Sequence, residues 1–511
     1  MGQKRSESLL LRGTVWLAVT SLIVKILSAV YRIPFQNMVG NIGFYIYQQV
    51  YPFYGIGMTF ALTGFPTFIS KKVAQESDEF QKKVVARNYW YLLLAFGCCL
   101  FGGMQLFANR IASGMGDPRL TVVIQNVSWM YLLLPFLAVG RGYCQGNLDM
   151  ATTAHSQLVE QLIRVGVILA AAYIGIKQHL SLYLIGSWAI LGGTFGALAA
   201  SIFFWPVFWR NLRSVKMTVS FSELKKLARS LFSEGLIFCL NAALLILLQL
   251  IDSFTLKKYL QTTGLLPAAA ASLKGVFDRG QPLLQLGLVI TNAIAVSSLP
   301  TLVKQQQRQN EKVLKLRINQ LFQLALLFAL AAAVGLAVLM PQINWVLFGS
   351  TQGSWALAVN SVTIPLVTII TLDNVLLQIE EQQSAALKII LLIMVAKLIF
   401  NRLLIAPLGI NGAAWASVLS LLLGTIVAGK LEKKTGFSYL KDHNWLWKMS
   451  GTLILMGAGT YLTADLVQQT VSFSRHGSLL ILLVAIPIGG AIFFLLAFCL
   501  HILDWKLLKQ H

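Results

Sequence analysis

Acidic residues are scarce in this chain: 19 Asp and Glu stand against 41 Lys and Arg in 511 residues. All charged residues together make up only 12%, about half the share of an ordinary soluble chain. That excludes a soluble globular protein of common composition. Cysteine is also sparse. Cys98, Cys99, Cys144, Cys239 and Cys499 lie in or beside apolar runs, without metal or redox spacing, and read as packing residues. The six histidines are scattered and form no ligand cluster. Enzymatic motifs are missing as well. Gly424 to Lys430 begins like a phosphate loop, but Leu431 stands where Ser or Thr is required. No zinc motif or nucleophile elbow appears. With no ATP site, work has to draw on a gradient, the membrane potential or consumption of the substrate.

Apolar sequence is abundant. The chain is 56% hydrophobic, and runs long enough to cross a bilayer recur from end to end. The expected fold is an all-α polytopic membrane protein with about fourteen transmembrane helices. The net charge of +22 could suggest nucleic acid. Its placement argues otherwise: Lys71-Lys72 with Lys82-Lys83, Arg210 to Arg229, Lys304 to Arg317 and Lys430 to Lys441 lie in loops on one side. That is the positive-inside pattern, so no nucleic-acid partner is expected. The same pattern places both termini in the cytoplasm. Met1 to Arg12 is basic ahead of an apolar run, but Lys25 interrupts that run and no cleavage site follows. It reads as an uncleaved first span, and the match of Met1 to Ser6 to a myristoylation pattern reads as chance.

A weak repeat divides the chain. Phe65-Pro66-Thr67 recurs as Leu299-Pro300-Thr301, Gln145 as Gln378 and Arg164 as Lys397, all at an offset of about 233 residues. Two six-helix lobes of like orientation are expected at 1–229 and 230–446, with two additional transmembrane helices at 447–511. Such halves usually hold substrate between them near the midplane.

Polar stripes mark the candidate path. From Lys274 to Gly287 an acid and a base, Asp278 and Arg279, stand side by side at the mouth of an apolar run. Asp278, Gln281, Gln285 and Asn292 fall at i, i+3, i+7 and i+14, one face of a helix. Ser21, Lys25, Ser28 and Arg32 form a stripe in the first span. A cation at mid-span costs about 2.5–3.5 kcal/mol, so Lys25 is expected to face a cavity; Arg32 can also be read as snorkelling to an interface. Glu234, Asn241, Gln249 and Asp252 repeat the pattern in the seventh span. Gln48, Gln49, Tyr51, Tyr54, Thr59 and Thr63 in the second suit either a sugar path or interface anchoring. Glu160 and Arg164 are spaced as an i, i+4 ion pair and are expected to be structural or coupling residues, as is Lys397 with Asn401. Asp373 and Asn374 suit packing or a polar path.

Three stretches carry a family resemblance: Asn41-Ile42-Gly43-Phe44-Tyr45 through Pro66-Thr67, Arg141-Gly142-Tyr143-Cys144-Gln145-Gly146, and Gly275-Val276-Phe277-Asp278-Arg279-Gly280-Gln281-Pro282-Leu283. They resemble the lipid-flippase branch of the multidrug/oligosaccharidyl-lipid/polysaccharide exporter (MOP) superfamily, and most of all the MurJ-type lipid II flippases near the stage V sporulation protein B group. The resemblance implies export of an undecaprenyl-diphosphate-linked peptidoglycan precursor to the outer leaflet of the cell membrane, by alternating access and for cell-wall synthesis. It implies a basic cavity in which Lys25, Arg32 and Arg279 receive the diphosphate, with Asp278 and Asp252 orienting them and Gln48, Gln281 and Gln285 beside them. The family's arginine in span two has no counterpart between Tyr54 and Phe65. The expected partners are lipid II or a related glycolipid and membrane lipids. The chain is expected to be a monomer, with no cofactor and with coupling to the membrane potential or a monovalent ion. Rival readings are a flippase for another polyprenyl-diphosphate-linked polysaccharide, a cation-coupled drug antiporter, which would want an acidic pocket in the first half, and a non-transporting membrane scaffold.

Overall fold

A computed structural model describes residues 16–17, 19–212, 221–307, 311–380, 382–431, 441–471 and 474–502. These residues are helical, joined by short turns, with no strand among them. Among the described residues nine helices are long and apolar enough to cross a membrane, and a tenth qualifies if the pair Ser222–Ala242 and Leu244–Thr262, bent by 75°, counts as one span. The described parts of the other expected spans are helical too. The chain divides into two compact units, 1–275 and 276–511.

The first unit begins with α1 (19–30) and α2 (Arg32–Thr59). Within α2 the chain turns at Gly40, whose φ of 68° falls in the left-handed region that glycine tolerates. A π-turn, Phe60–Gly64, links α2 to α3 (Phe65–Gln75). Then come α4 (Glu79–Gly114), α5 (Thr121–Ser128), α6 (Leu134–Gly146), α7 (Met150–Lys177) and α8 (Leu182–Phe203). Several starts are written in the sequence. Asp78, Asp149 and Ser181 accept hydrogen bonds from the first-turn amides of α4, α7 and α8, supplying partners the helix itself cannot. The unit continues through α9 (Phe221–Ser230), α10 (Leu236–Ala242) and α11 (Leu244–Thr262), and its boundary falls inside α12 (Pro267–Asp278). Tyr31, Tyr45, Tyr47, Tyr51, Tyr54 and Tyr131 are all buried in one core. Such rings carry a large apolar face and one hydroxyl that needs a partner.

The second unit contains α13 (Gly280–Gln307), α14 (Glu311–Val338), α15 (Met340–Phe348), α16 (Ser354–Ser361), α17 (Thr363–Ile379), α18 (Gln383–Leu408), α19 (Ile410–Leu431), α20 (His443–Thr470) and α21 (Arg475–Cys499). Phe322, Leu326, Leu372, Met456 and Phe493 sit in a core built from α14, α17, α20 and α21.

Candidate functional site

Tyr47, Tyr51 and Tyr54 follow one another at i, i+4 and i+7 on α2, so they share a face. That face is turned into the first unit, and all three rings are buried. Tyr31, at the junction of α1 and α2, closes the row: its hydroxyl lies 2.9 Å from that of Tyr47. Ring centroids step along at 6.4 Å, 6.1 Å and 5.7 Å from Tyr31 to Tyr54. Gly193 on α8 makes room for the end of the row, since a Cβ there would lie 2.3 Å from Tyr54 Cε2.

Two arginines are packed into this row. The Arg32 guanidinium sits 4.4 Å from the Tyr51 ring and 5.9 Å from the Tyr31 ring. Arg164, from α7, sits 4.9 Å from the Tyr54 ring and 5.3 Å from the same Tyr31 ring. Cation–π contacts of this kind contribute about 0.5–2 kcal/mol each, well short of the several kcal/mol that removing a charge from water costs. Arg164 donates to Tyr54 Oη at 2.6 Å and to Ser28 Oγ at 3.0 Å. Arg32 and the Tyr31 hydroxyl also interact through a side-chain hydrogen bond, though outside strict donor geometry. Arg32 is fully buried and Arg164 nearly so.

The expected Glu160–Arg164 pair does not form. Glu160 instead binds Arg141, which α6 brings in from the other side. Arg141 completes its fork on Ser156 Oγ at 3.2 Å and the Ala61 carbonyl at 3.1 Å. Helical spacing allowed Glu160 to meet Arg164, but a second guanidinium with a better-supported geometry took the carboxylate. Arg164 is left for the tyrosines. No carboxylate is ion-paired with Arg32 or Arg164 among the described residues.

The remaining predicted residues divide by unit. In the first, Lys25 lies on the accessible face of α1, while Gln48 and Asp252 are buried. In the second, the helix breaks at Arg279, so Asp278 ends α12 and Gln281 and Gln285 open α13. Asp278, Arg279 and Gln281 are buried and Gln285 is half-buried; the side chain of Asn292 lies outside the described residues. Arg279 donates to Asn344 Oδ1 at 3.2 Å and lies 5.2 Å from the Phe348 ring. Lys397, also buried, donates to the Ala413 carbonyl at 3.0 Å and to Ser417 Oγ at 2.6 Å, tying α18 to α19.

One cluster was missed from the sequence. Asp117, in the turn between α4 and α5, is buried and accepts from Lys257 at 2.8 Å, Tyr183 at 2.7 Å, Tyr45 at 3.2 Å and Arg119 at 3.2 Å. Burial opposes its charge, but the bonds from Lys257 and Tyr183 and the cations around it more than offset that. Its carboxyl is held below the ordinary range. An acid beside Gly116 and Pro118 reads as an exposed turn, and Lys257 lies just past the end of the expected seventh span, where a lysine carries no mark of burial.

Residues 10–306 match the polysaccharide biosynthesis protein family. The chain belongs to that family. It is 34% identical over 498 residues to the uncharacterized membrane protein YabM of Bacillus subtilis, covering 94% of this chain and 91% of that one. It is 27% identical to the lipid II flippase MurJ of the same organism, over 95% and 94% of the two chains. Among solved structures it resembles the inward closed conformation of the lipid II flippase MurJ, with a TM-score of 0.69 at 13% identity over 95% of this chain and 99% of that one. An inward-facing multidrug resistance MATE transporter matches at 0.64 and 16% identity, over 84% and 99%. The family member described here is thus a multi-pass membrane protein with the fold of MOP-superfamily transporters.

Proposed function

We propose that this chain is a flippase that carries a polyprenyl-diphosphate-linked precursor, lipid II first of all, from the inner to the outer leaflet of a bacterial cell membrane. Both termini would lie in the cytoplasm, and transport would proceed by alternating access. The reading is carried by one observation: the interior of the first unit buries Arg32 and Arg164 with no carboxylate among the described residues ion-paired to either. That polarity favours an anionic head group. It weighs against the cation-coupled antiporter reading, since Glu160, the acid nearest Arg164 in sequence, is taken by Arg141. The family and the 27% identity to a lipid II flippase support the same substrate class.

In this proposal Lys25 and Arg32 are the cations the first unit offers the diphosphate, and Arg279 is the cation the second unit offers. Arginine can grip it through paired charge-assisted hydrogen bonds. Asp252 and Gln48 assist the cations of the first unit, and Asp278, Gln281 and Gln285, close to Arg279 in sequence, assist that of the second. The membrane potential assists. With the inside negative, moving two negative charges outward is downhill by about 4.6 kcal/mol per 100 mV, taking ~2.3 per charge. Another lipid sharing the diphosphate would use the same contacts. The test is to deplete the protein and measure which leaflet holds lipid II. Accumulation on the inner side supports the proposal, while an inner accumulation of a different polyprenyl-diphosphate glycan, with lipid II unaffected, reassigns the substrate.

A further inference from the structure

Three spans share an end in the first unit: α4 begins at Glu79, the stretch Pro118–Gly146 ends, and α7 begins at Met150. A cavity of about 460 Å³ lies there, and Glu79, Lys82, Lys83, Tyr143 and Leu148 are among its lining residues. That volume is in the range of small-ligand sites, and the shared end of three apolar spans is head-group depth. Its charge is positive. Lys82 gives one hydrogen to Glu79 at 2.8 Å, which makes that pair neutral and leaves the ammonium two more N–H groups. Lys83 is half-buried, and no carboxylate is ion-paired with it among the described residues. A cation partly withdrawn from water without a counter-charge favours an anion beside it. The rim is apolar and strained. At the end of α6 the Asp149 N–H donates to the Cys144 carbonyl at 2.8 Å and the Leu148 N–H to the Gln145 carbonyl at 3.0 Å. The residue at the bend of this motif is usually glycine. Here it is Leu148, whose φ of 65° falls in the left-handed region that a Cβ disfavours. Packing does not account for the leucine, because its side chain is 57% exposed. A bulky apolar residue, held in strained backbone beside a basic cavity, suits a ligand with a charged head and an apolar body.

We propose that this cavity holds the head group of an anionic phospholipid from the leaflet on the basic side of the chain. Lys83 and Lys82 receive the phosphate, and Leu148 lies against the glycerol and the first acyl carbons. A free phosphate would satisfy the lysines but give the leucine nothing to cover. Lys71 and Lys72 belong to the same basic side, and such clusters draw anionic lipid to the nearby surface. None of the residues assigned to the diphosphate lines this cavity. The phospholipid is therefore a resident of the first unit and not its cargo, and the site does not depend on the flippase reading. A lipid seated there touches the start of α4, the end of α6 and the turn into α7 together, so its binding fastens three span ends.

The experiment uses the purified full-length chain in a neutral detergent. Thermal unfolding is followed while phosphatidylglycerol, phosphatidylcholine or inorganic phosphate is added at constant ionic strength. A ligand that binds only the folded chain raises the midpoint saturably. The expected result is such a rise with phosphatidylglycerol and none with the other two. In Lys83→Gln the phosphatidylglycerol needed for half the effect should increase about tenfold, a loss of one charge-assisted contact. Leu148→Gly separates a ligand role from a structural one. Glycine relieves the left-handed backbone, so the variant should unfold at a higher temperature than the parent without lipid, yet respond less to phosphatidylglycerol. A leucine with only a structural role would shift the lipid-free midpoint and leave the response intact. Lys226→Gln, on the exposed face of α9, controls for diffuse charge and should respond like the parent. The proposal is overturned by equal responses to the two phospholipids, by a response to inorganic phosphate alone, by a phosphatidylglycerol response that survives both Lys83→Gln and Leu148→Gly, or by an equal loss in Lys226→Gln. Lipid II transfer is measured separately on the parent: its absence refutes the flippase reading and leaves this site standing, and transfer without a phosphatidylglycerol response does the reverse.

Discussion

The buried pair Asp117–Lys257 allows a worked prediction. Both side chains are 2% exposed and separated by 2.8 Å. Replacing Lys257 with Met keeps most of the volume but strands the carboxylate. Breaking a buried pair from one side costs about 3–5 kcal/mol. Here Tyr45 and Tyr183 remain on the same oxygen and Arg119 on the other, so the lower end, about 3 kcal/mol, is expected. Asp117→Asn should cost a similar amount by leaving Lys257 charged with a weakened acceptor. The double variant should recover a large part, because no lone charge is left. The assay is reversible denaturation of the four proteins in one detergent, read as a double-mutant cycle. A coupling energy near zero, or single losses within about 0.5 kcal/mol of the parent, would refute the view that this pair fastens the end of α11 to the turn after α4.

Three further outcomes follow from the same structure. The Asp117 carboxyl is held below its unfolded value of about 3.9, so its stabilisation is complete above that pH and is lost as pH falls through the folded value. The unfolding midpoint should be level near neutrality, drop below about pH 4, and drop less steeply in Asp117→Asn. Glu160→Gln should cost about 3 kcal/mol by leaving fully buried Arg141 without its carboxylate, whereas a surface pair of the same spacing would cost under about 1; thermal unfolding distinguishes them. Gly193→Ala places a methyl against Tyr54 and should destabilise by about 1–3 kcal/mol through overpacking. Thermal unfolding of the variant against the parent measures the loss.

The all-α membrane-spanning class was legible because bilayer length and apolar composition dictate it with little help from tertiary context. The Asp78, Asp149 and Ser181 caps are equally local. The site was legible only in part. Arg32 stands out in sequence as a cation in an apolar span, but snorkelling predicts the same letter in the same place. What decides between them is the row Tyr47, Tyr51, Tyr54, and tyrosines in a span read at least as well as interface anchors. Glu160 and Arg164 show the opposite failure. An i, i+4 spacing says which side chains can meet, not which third group competes, and Arg141 is a competitor supplied by another helix. Asp117 was hidden because its partners come from three separate stretches of chain, and a turn acid carries no mark of burial.

The central claim is that a chain whose first unit is poised for negative charge moves an anionic lipid head across the bilayer. Reconstitution tests it most directly: purified protein in vesicles with lipid II in one leaflet, read by the rate at which lipid II becomes accessible in the other. The account predicts transfer faster than in protein-free vesicles, accelerated by a potential that favours outward movement of negative charge, and abolished in Arg279→Ala with the variant still folded. A rate equal to that of protein-free vesicles, or full activity in the variant, contradicts it.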